Sequence, residues 1–315
     1  MATFGIIGSG FGLYGYLPAL CQCSHDIVLP RRYIPRFKDR KELAIYTNKI
    51  RWVLNEEAIL AESEGLVLAL PPILQSEYLF ESISRSNILY MLLEKPLAPT
   101  PNTSIDQLCN LIKAKRKFRI NYSFRYADWA YKMKIALKNT QASDTLLIEW
   151  RFLAHHYRFD LNNWKRFNSD GGSVLRFYGI HIISLLSEIG YDSVVNSMSF
   201  GVSSNEFSKW SVTLNGPGLP QCILLVDSRS SISLFRVDIS STHNSDSDRF
   251  NIQLGDPFDQ MPPSTGNEDR RIPFLKDLCI TLDAELEDEQ EIYQLYRSTN
   301  ILWQRIEDAT IFVRS

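Results

Sequence analysis

The chain has 315 residues, 44% of them hydrophobic and 22% charged, and a formal net charge of −2. That length accommodates two domains with real cores, and the charge balance argues against a broad nucleic-acid surface. The sequence has no bilayer-spanning apolar run, no basic signal-like start and five irregularly spaced cysteines, so we expect a cytoplasmic protein with reduced thiols, no membrane partner and no metal site.

The first predicted strand, 4–7, runs into a turn carrying Gly8, Gly10 and Gly12, and an apolar stretch of helical potential follows through Leu20. Strand, glycine turn and helix form the phosphate-gripping opening of a dinucleotide-binding fold, although such turns also join strands to helices without any ligand. The usual third glycine would fall at Leu13; here Gly12 precedes it. Cys21 and Cys23 form a C-x-C pair without partner ligands nearby. Further strands are predicted at 26–29, 65–70, 88–93 and 118–122, with helical stretches at 57–63, 75–84 and 104–115. This alternation builds a parallel sheet covered by helices. A helix at 126–137 then leads into β-rich runs at 145–152, 194–200, 210–214, 222–227, 232–239 and 250–254. Several of these alternate apolar and polar residues, as half-buried antiparallel strands do. One helix, from about 172 to 189, interrupts them. The segments 241–248 and 256–271 read as loops. A terminal amphipathic helix carries Ile292, Leu295, Tyr296, Leu302, Trp303 and Ile306 near one face, after an acidic run at 283–291 that suits a helix N-terminus. The expected fold is an α/β Rossmann domain with a parallel sheet (1–122), then an α+β domain with a large open, mainly antiparallel sheet (123–315).

Candidate chemistry lies where strands end. Pro71-Pro72 and Glu94-Lys95-Pro96 each close a predicted parallel strand, at the edge where open α/β sheets bind ligands. Lys95 there either donates a hydrogen bond to a substrate oxygen or is an exposed lysine after a buried strand. Gly171-Gly172-Ser173 opens the helix that carries Phe177 and His181 on one face. His181 is either a general acid or base or a satisfied core histidine.

In their order these pieces resemble the Gfo/Idh/MocA family, nicotinamide oxidoreductases of the glucose–fructose oxidoreductase and inositol dehydrogenase type. The matching motifs are Gly8-Ser9-Gly10-Phe11-Gly12, Leu17 to Leu20, Pro71-Pro72, Glu94-Lys95-Pro96 with Leu97-Ala98, Phe124-Arg125, Trp164 before Gly171-Gly172, and Gly179-Ile180-His181. The resemblance implies hydride transfer with NADP or NAD on a sugar, a sugar nucleotide or an imine-like biosynthetic intermediate. It implies Lys95 and His181 as catalytic residues. It places Gly8, Gly10, Phe11, Gly12, Pro71, Pro72, Gln75, Glu94 and Lys95 at the cofactor, where we also set Arg31 and Arg32 from their position after the second strand, and Tyr122, Arg125, Trp164, Arg166, Tyr178 and His181 at the substrate. It further implies a homo-oligomer, a dimer or tetramer, formed through the open sheet, and we expect Trp210, Ile223, Leu225, Ile232 and Leu234 to present one apolar face.

The chain departs from the family in several places. Family members active on sugar alcohols usually carry aspartates where Phe177 and Ser184 stand, and a histidine where Gln75 stands. Pro30-Arg31-Arg32-Tyr33 occupies the place of the ribose-binding acid. The two arginines either pair with a 2′-phosphate, which favours NADP, or are solvated surface charges. The lost aspartates leave open an alternative, a non-catalytic nucleotide-binding regulatory protein on the same fold.

Overall fold

The computed structural model describes residues 2–240, 250–259, 269–283 and 288–315. In chain order the elements begin with β1 (Thr3–Ile7), α1 (Leu17–Gln22), β2 (Asp26–Pro30), α2 (Ile34–Asp39), β3 (Ile50–Val53), α3 (Glu56–Glu62), β4 (Gly65–Leu68) and α4 (Pro72–Ile83). There follow β5 (Tyr90–Leu93), α5 (Pro101–Lys113), β6 (Lys117–Ile120), α6 (Asp128–Leu137), β7 (Thr145–Leu153), α7 (His155–Arg158) and α8 (Ile180–Ile189). The remainder comprises β8 (Ser193–Ser203), β9 (Glu206–Asn215), β10 (Gln221–Asp227), β11 (Arg229–Ser240), β12 (Phe250–Leu254), α9 (Ile272–Asp283), α10 (Glu289–Ala309) and β13 (Thr310–Arg314).

The chain divides into two compact units. The first comprises Met1–Ala98, Asp106–Ser123 and Gln260–Tyr293; the second comprises Pro99–Ile105, Phe124–Asp259 and Gln294–Ser315. The expected boundary after residue 122 is close to one crossing, but two consecutive segments, 1–122 and 123–315, do not describe the division. Residues of α9 return to the first unit, where the helix packs against α1 and its Phe274, Leu275 and Leu278 are buried.

The first unit is built on a six-stranded sheet of order β3-β2-β1-β4-β5-β6, parallel throughout. Its central strands read as unbroken apolar runs because both faces are covered; all four residues of Gly65-Leu66-Val67-Leu68 are buried. β1 lies between β2 and β4, so the strand order reverses there and opens the crevice at which doubly wound sheets bind ligands. Asn55 caps α3 by accepting the Ala58 N–H at 3.0 Å. The edge strand β3 escapes a sequence reading because it is only four residues long and charged at Arg51.

The second unit carries a seven-stranded sheet of order β12-β11-β7-β10-β9-β8-β13. The β7–β10 and β8–β13 pairs are parallel and the others antiparallel. Strand alternation buries Leu146, Ile148 and Trp150 on one face with Leu224, Val226 and Phe235. The helix leading into α8 crosses this face at Gly179, where an added Cβ would stand 2.7 Å from the Trp210 ring. The opposite face shows Ile223 and Leu225 among the Arg151–Glu149 and Arg236–Asp238 ion pairs. Trp210 is therefore a correction. It pairs with Val226 on the covered face and is fully buried, one residue out of phase with Leu225, which pairs with Ser211.

Helix bounds shift by a few residues from expectation. The predicted helix at 172–189 begins at Val174 as a wide π-type turn through Gly179 before α8. The loop expected at 241–248, and most of that at 256–271, lie outside the described residues. No helix among the described residues is long and apolar enough to cross a membrane, and no group of three His, Cys, Asp or Glu residues among them is placed to hold a metal ion.

Candidate active site

The glycine turn follows β1. Gly8 has φ +134°, and a Cβ there would meet the Ala69 carbonyl oxygen at 2.3 Å. Its N–H donates to the Tyr33 hydroxyl at 2.9 Å. A Cβ on Gly12 would stand 2.8 Å from Ile6, so glycine lets the helix start hard against β1. Gly10 differs, because nothing lies within 4 Å of where its Cβ would be. Two glycines thus serve the fold, and the third keeps space open in front of a helix start whose first N–H groups lack intrahelical acceptors. The turn fits a dinucleotide pyrophosphate. Phe11 contributes no ring to that space, since its ring packs on Tyr14 and Tyr16, with centroids 5.4 Å and 5.6 Å away, and blocks any side chain at Gly15.

Arg31 and Arg32 form a short helical turn directly after β2, where the ribose-binding acid would stand. Both are exposed. Arg32 pairs with Glu56 at the start of α3, so one of the two guanidinium groups already has a counter-charge. The Tyr33 hydroxyl, on the Gly8 N–H, supplies the neutral acceptor at this corner that the sequence reading missed.

At the far end of the sheet a polar network holds the Glu94-Lys95-Pro96 segment. Gln75, fully buried in α4, donates from Nε2 to the carbonyls of Glu94 (2.7 Å) and Leu97 (3.2 Å) and accepts the Glu94 N–H on Oε1 (3.0 Å). Its amide is used up on backbone, so Gln75 positions the segment instead of facing a cofactor as expected. The Glu94 carboxylate accepts from Tyr16 Oη (2.8 Å) and Asn121 Nδ2 (2.7 Å). Burial first, and the Glu94 charge second, push the Tyr16 hydroxyl well above its ordinary pKa. Tyr16 and Asn121 hold this network and the sequence did not flag them, because a tyrosine on an apolar helix and an asparagine after a strand carry no signature. Lys95 is buried, with 8% of its surface exposed, so it is not the exposed lysine of the plainer reading. Pro71 and Pro72 start α4, and Tyr122 is buried beyond β6.

In the second unit, the His181 ring is 4% exposed and stacks on Phe124 at 4.8 Å, with Phe258 edge-on at 6.0 Å. Phe177 makes an aromatic cluster in place of an aspartate: it meets Trp164 at 5.1 Å and Tyr178 at 4.7 Å, and Lys165 Nζ lies 5.1 Å from its centroid. Ser184 is buried and accepts from Thr299 Oγ1 at 3.2 Å, an interior site where a carboxylate would be costly. Arg166 is held by Glu206 (2.6 Å) and Asp160 (3.1 Å), and Arg125 lies 3.4 Å from Glu188. Gly172 closes the Trp164–Arg166 turn from below, since its Cβ would meet the Trp164 carbonyl oxygen at 2.1 Å.

Two more residues were missed. Arg176 is buried; it grips Glu307 through Nε (2.6 Å) and Nη2 (2.7 Å), and the carbonyls of Pro99 and Asn168 through Nη1. A lone arginine in the apolar run Val174-Leu175-Arg176-Phe177-Tyr178 was the signal for such a lock. His156 is buried beside Tyr157 and has no hydrogen-bond partner on Nδ1. Burial, then the Lys165 and Arg166 charges, push its pKa down to about 4.

No protein-family model and no curated protein matches the chain. Solved structures match its fold over nearly its whole length. The WlbA dehydrogenase from Chromobacterium violaceum, crystallised with NADH and UDP-GlcNAcA, superposes with a TM-score of 0.71 at 13% identity, over 98% of this chain and 94% of that one. KijD10, a 3-ketoreductase from Actinomadura kijaniata in complex with NADP and TDP-benzene, gives 0.70 at 14% identity over 99% of each chain. An oxidoreductase from Thermotoga maritima gives 0.73 at 12% identity, over 98% of this chain and 96% of that one. The chain has the two-domain Gfo/Idh/MocA dehydrogenase fold. Within the Gfo/Idh/MocA fold the glycine turn, Pro71-Pro72 and Glu94-Lys95 all stand at carboxyl ends of the parallel strands.

Proposed function

We propose that the protein is an NAD(P)-dependent oxidoreductase that moves a hydride to or from a sugar nucleotide, or a related sugar or imine-like intermediate. The open space at Gly10, bounded by two glycines that the fold itself requires, supports the cofactor part best. When bound, the nicotinamide supplies the hydride chemistry. Lys95, buried and held in place by the Gln75 and Glu94 network, orients a substrate oxygen or donates a proton to it. His181 is the second acid or base, and Tyr122, Arg125, Trp164, Arg166 and Tyr178 line the substrate. The sugar-nucleotide class is carried over from WlbA and KijD10, whose crystals hold UDP-GlcNAcA and TDP-benzene. Arg31, with its neighbour Arg32 committed to Glu56, is the residue we assign to a 2′-phosphate, which favours NADP.

In the same proposal the protein works in the cytoplasm, in keeping with its five free cysteines, and self-associates through the open sheet face around Ile223 and Leu225. Titration with NADH and NADPH, followed by turnover assays on a panel of nucleotide sugars and their keto forms, tests the whole. Cofactor binding without turnover on any substrate would move the assignment to the non-catalytic alternative.

A further inference from the structure

We propose that Arg271, far along the chain from the glycine turn, is a binding residue for the cofactor pyrophosphate; this rests on the cofactor reading above. Arg271 immediately precedes α9, and its carbonyl accepts the Leu275 N–H at 3.1 Å. Its guanidinium carbon lies 4.0 Å from the Phe11 ring centroid and 5.8 Å from that of Tyr14. Phe11 is the residue between Gly10 and Gly12, so the guanidinium stacks on a side chain that the glycine turn itself carries.

The guanidinium is fixed before any ligand arrives. Asp269 takes Nε at 2.8 Å and Nη2 at 2.7 Å, and the same carboxylate accepts the Arg271 backbone N–H at 2.9 Å. A planar cation clamped on one edge by a carboxylate and on one face by a ring has lost its rotamer freedom, so little ordering remains to be done when a phosphate binds. Burial opposes the charge, and the Asp269 hydrogen bonds and carboxylate outweigh it. The positive charge adds to the partial charge of the helix start.

The rival role is mechanical: the stack on Phe11 would only fasten α9 to the first helix. Arg271→Met keeps an unbranched body over Phe11 and removes the charge. Fluorescence titration of the full chain with NADH and NADPH should show affinity falling about tenfold or more, the loss of a charge-assisted contact. Its salt dependence should become shallower. Arg271→Gln serves if the methionine variant does not fold. Unchanged affinity and salt slope in either folded variant overturns the inference. A parent protein that binds no dinucleotide at all overturns the cofactor reading beneath it.

Discussion

Gly8 and Gly10 lie two residues apart in the same turn, yet alanine should act on them in opposite ways. At Gly8 the φ of +134° is one that L side chains rarely adopt, and the new Cβ would stand 2.3 Å from the Ala69 carbonyl, which is backbone and cannot step aside. Backbone strain of about 1–3 kcal/mol and overpacking of similar size add up to roughly 2–6 kcal/mol. For a protein of this size that lowers the melting temperature by on the order of 10 °C. At Gly10 nothing lies within 4 Å of the new methyl, so Gly10→Ala should melt within about 2 °C of the parent, and slightly above it if the lost chain entropy dominates. Its cost should appear only with ligand. A methyl pressed against the pyrophosphate is overpacked by about 1–3 kcal/mol, a loss in dinucleotide affinity of tenfold to a hundredfold or more. Differential scanning fluorimetry and NADPH titration on the two variants decide the matter. If Gly10→Ala keeps parental affinity while folded, the open space at Gly10 is not the phosphate site, and the functional proposal loses its main support.

The other predictions are independent of that pair. Lys95→Ala and His181→Ala should each lower turnover by roughly a hundredfold or more without weakening cofactor binding, measured by initial rates beside a binding titration. Tyr16→Phe removes one of the two donors to Glu94 and should cost about 1–3 kcal/mol in urea unfolding, whereas loss of less than the error would mean water replaces the hydroxyl. His156, buried neutral with its pKa lowered from 6.5 to about 4, adds stability above pH 6.5 that fades as pH falls toward 4, up to about 3 kcal/mol; His156→Leu should flatten unfolding midpoints across that window. Ile223→Glu on the open sheet face should dissociate the oligomer, so light scattering should report a mass near 36.3 kDa for the variant and a multiple of it for the parent.

The Rossmann half was legible because its signals are local. Gly8, Gly10 and Gly12, the double proline at 71–72 and Glu94-Lys95-Pro96 each sit on one strand end, and a parallel sheet brings strand ends together without further information. What escaped was everything made by pairing across distance. Gln75 was placed at the cofactor because it matches the histidine the family usually carries after Pro-Pro, and no pattern shows that its amide is spent on residues 94 and 97. Arg32 and Arg166 read as available cations until Glu56, Glu206 and Asp160 were seen beside them. Trp210 was assigned to the exposed face because a one-residue register error inverts a strand, and periodicity alone does not say which face a helix will cover. The His181 ring is stacked on Phe124 as a core histidine would be, on the helix where the resemblance expects an acid or base.

The return of α9 to the first unit also has a bearing on how the protein is made. Arg119 is fully enclosed, and the carboxylate that neutralises it belongs to Glu289, with the Thr281 carbonyl as a further acceptor. A ribosome releasing residues 1–123 has delivered every strand of the six-stranded sheet but neither of those partners. Until the last stretch of the chain emerges, a guanidinium meant for the interior has no opposite charge, and the apolar side of α1 has no cover. The first unit therefore reaches its final state only after nearly all of the second sheet has been synthesised, and a fragment cut at the expected boundary would lack both the carboxylate for Arg119 and the helix that covers α1. Stop codons and frameshifts just after β12, far from any glycine motif, would then be expected to act on the first unit as severely as changes within the motif.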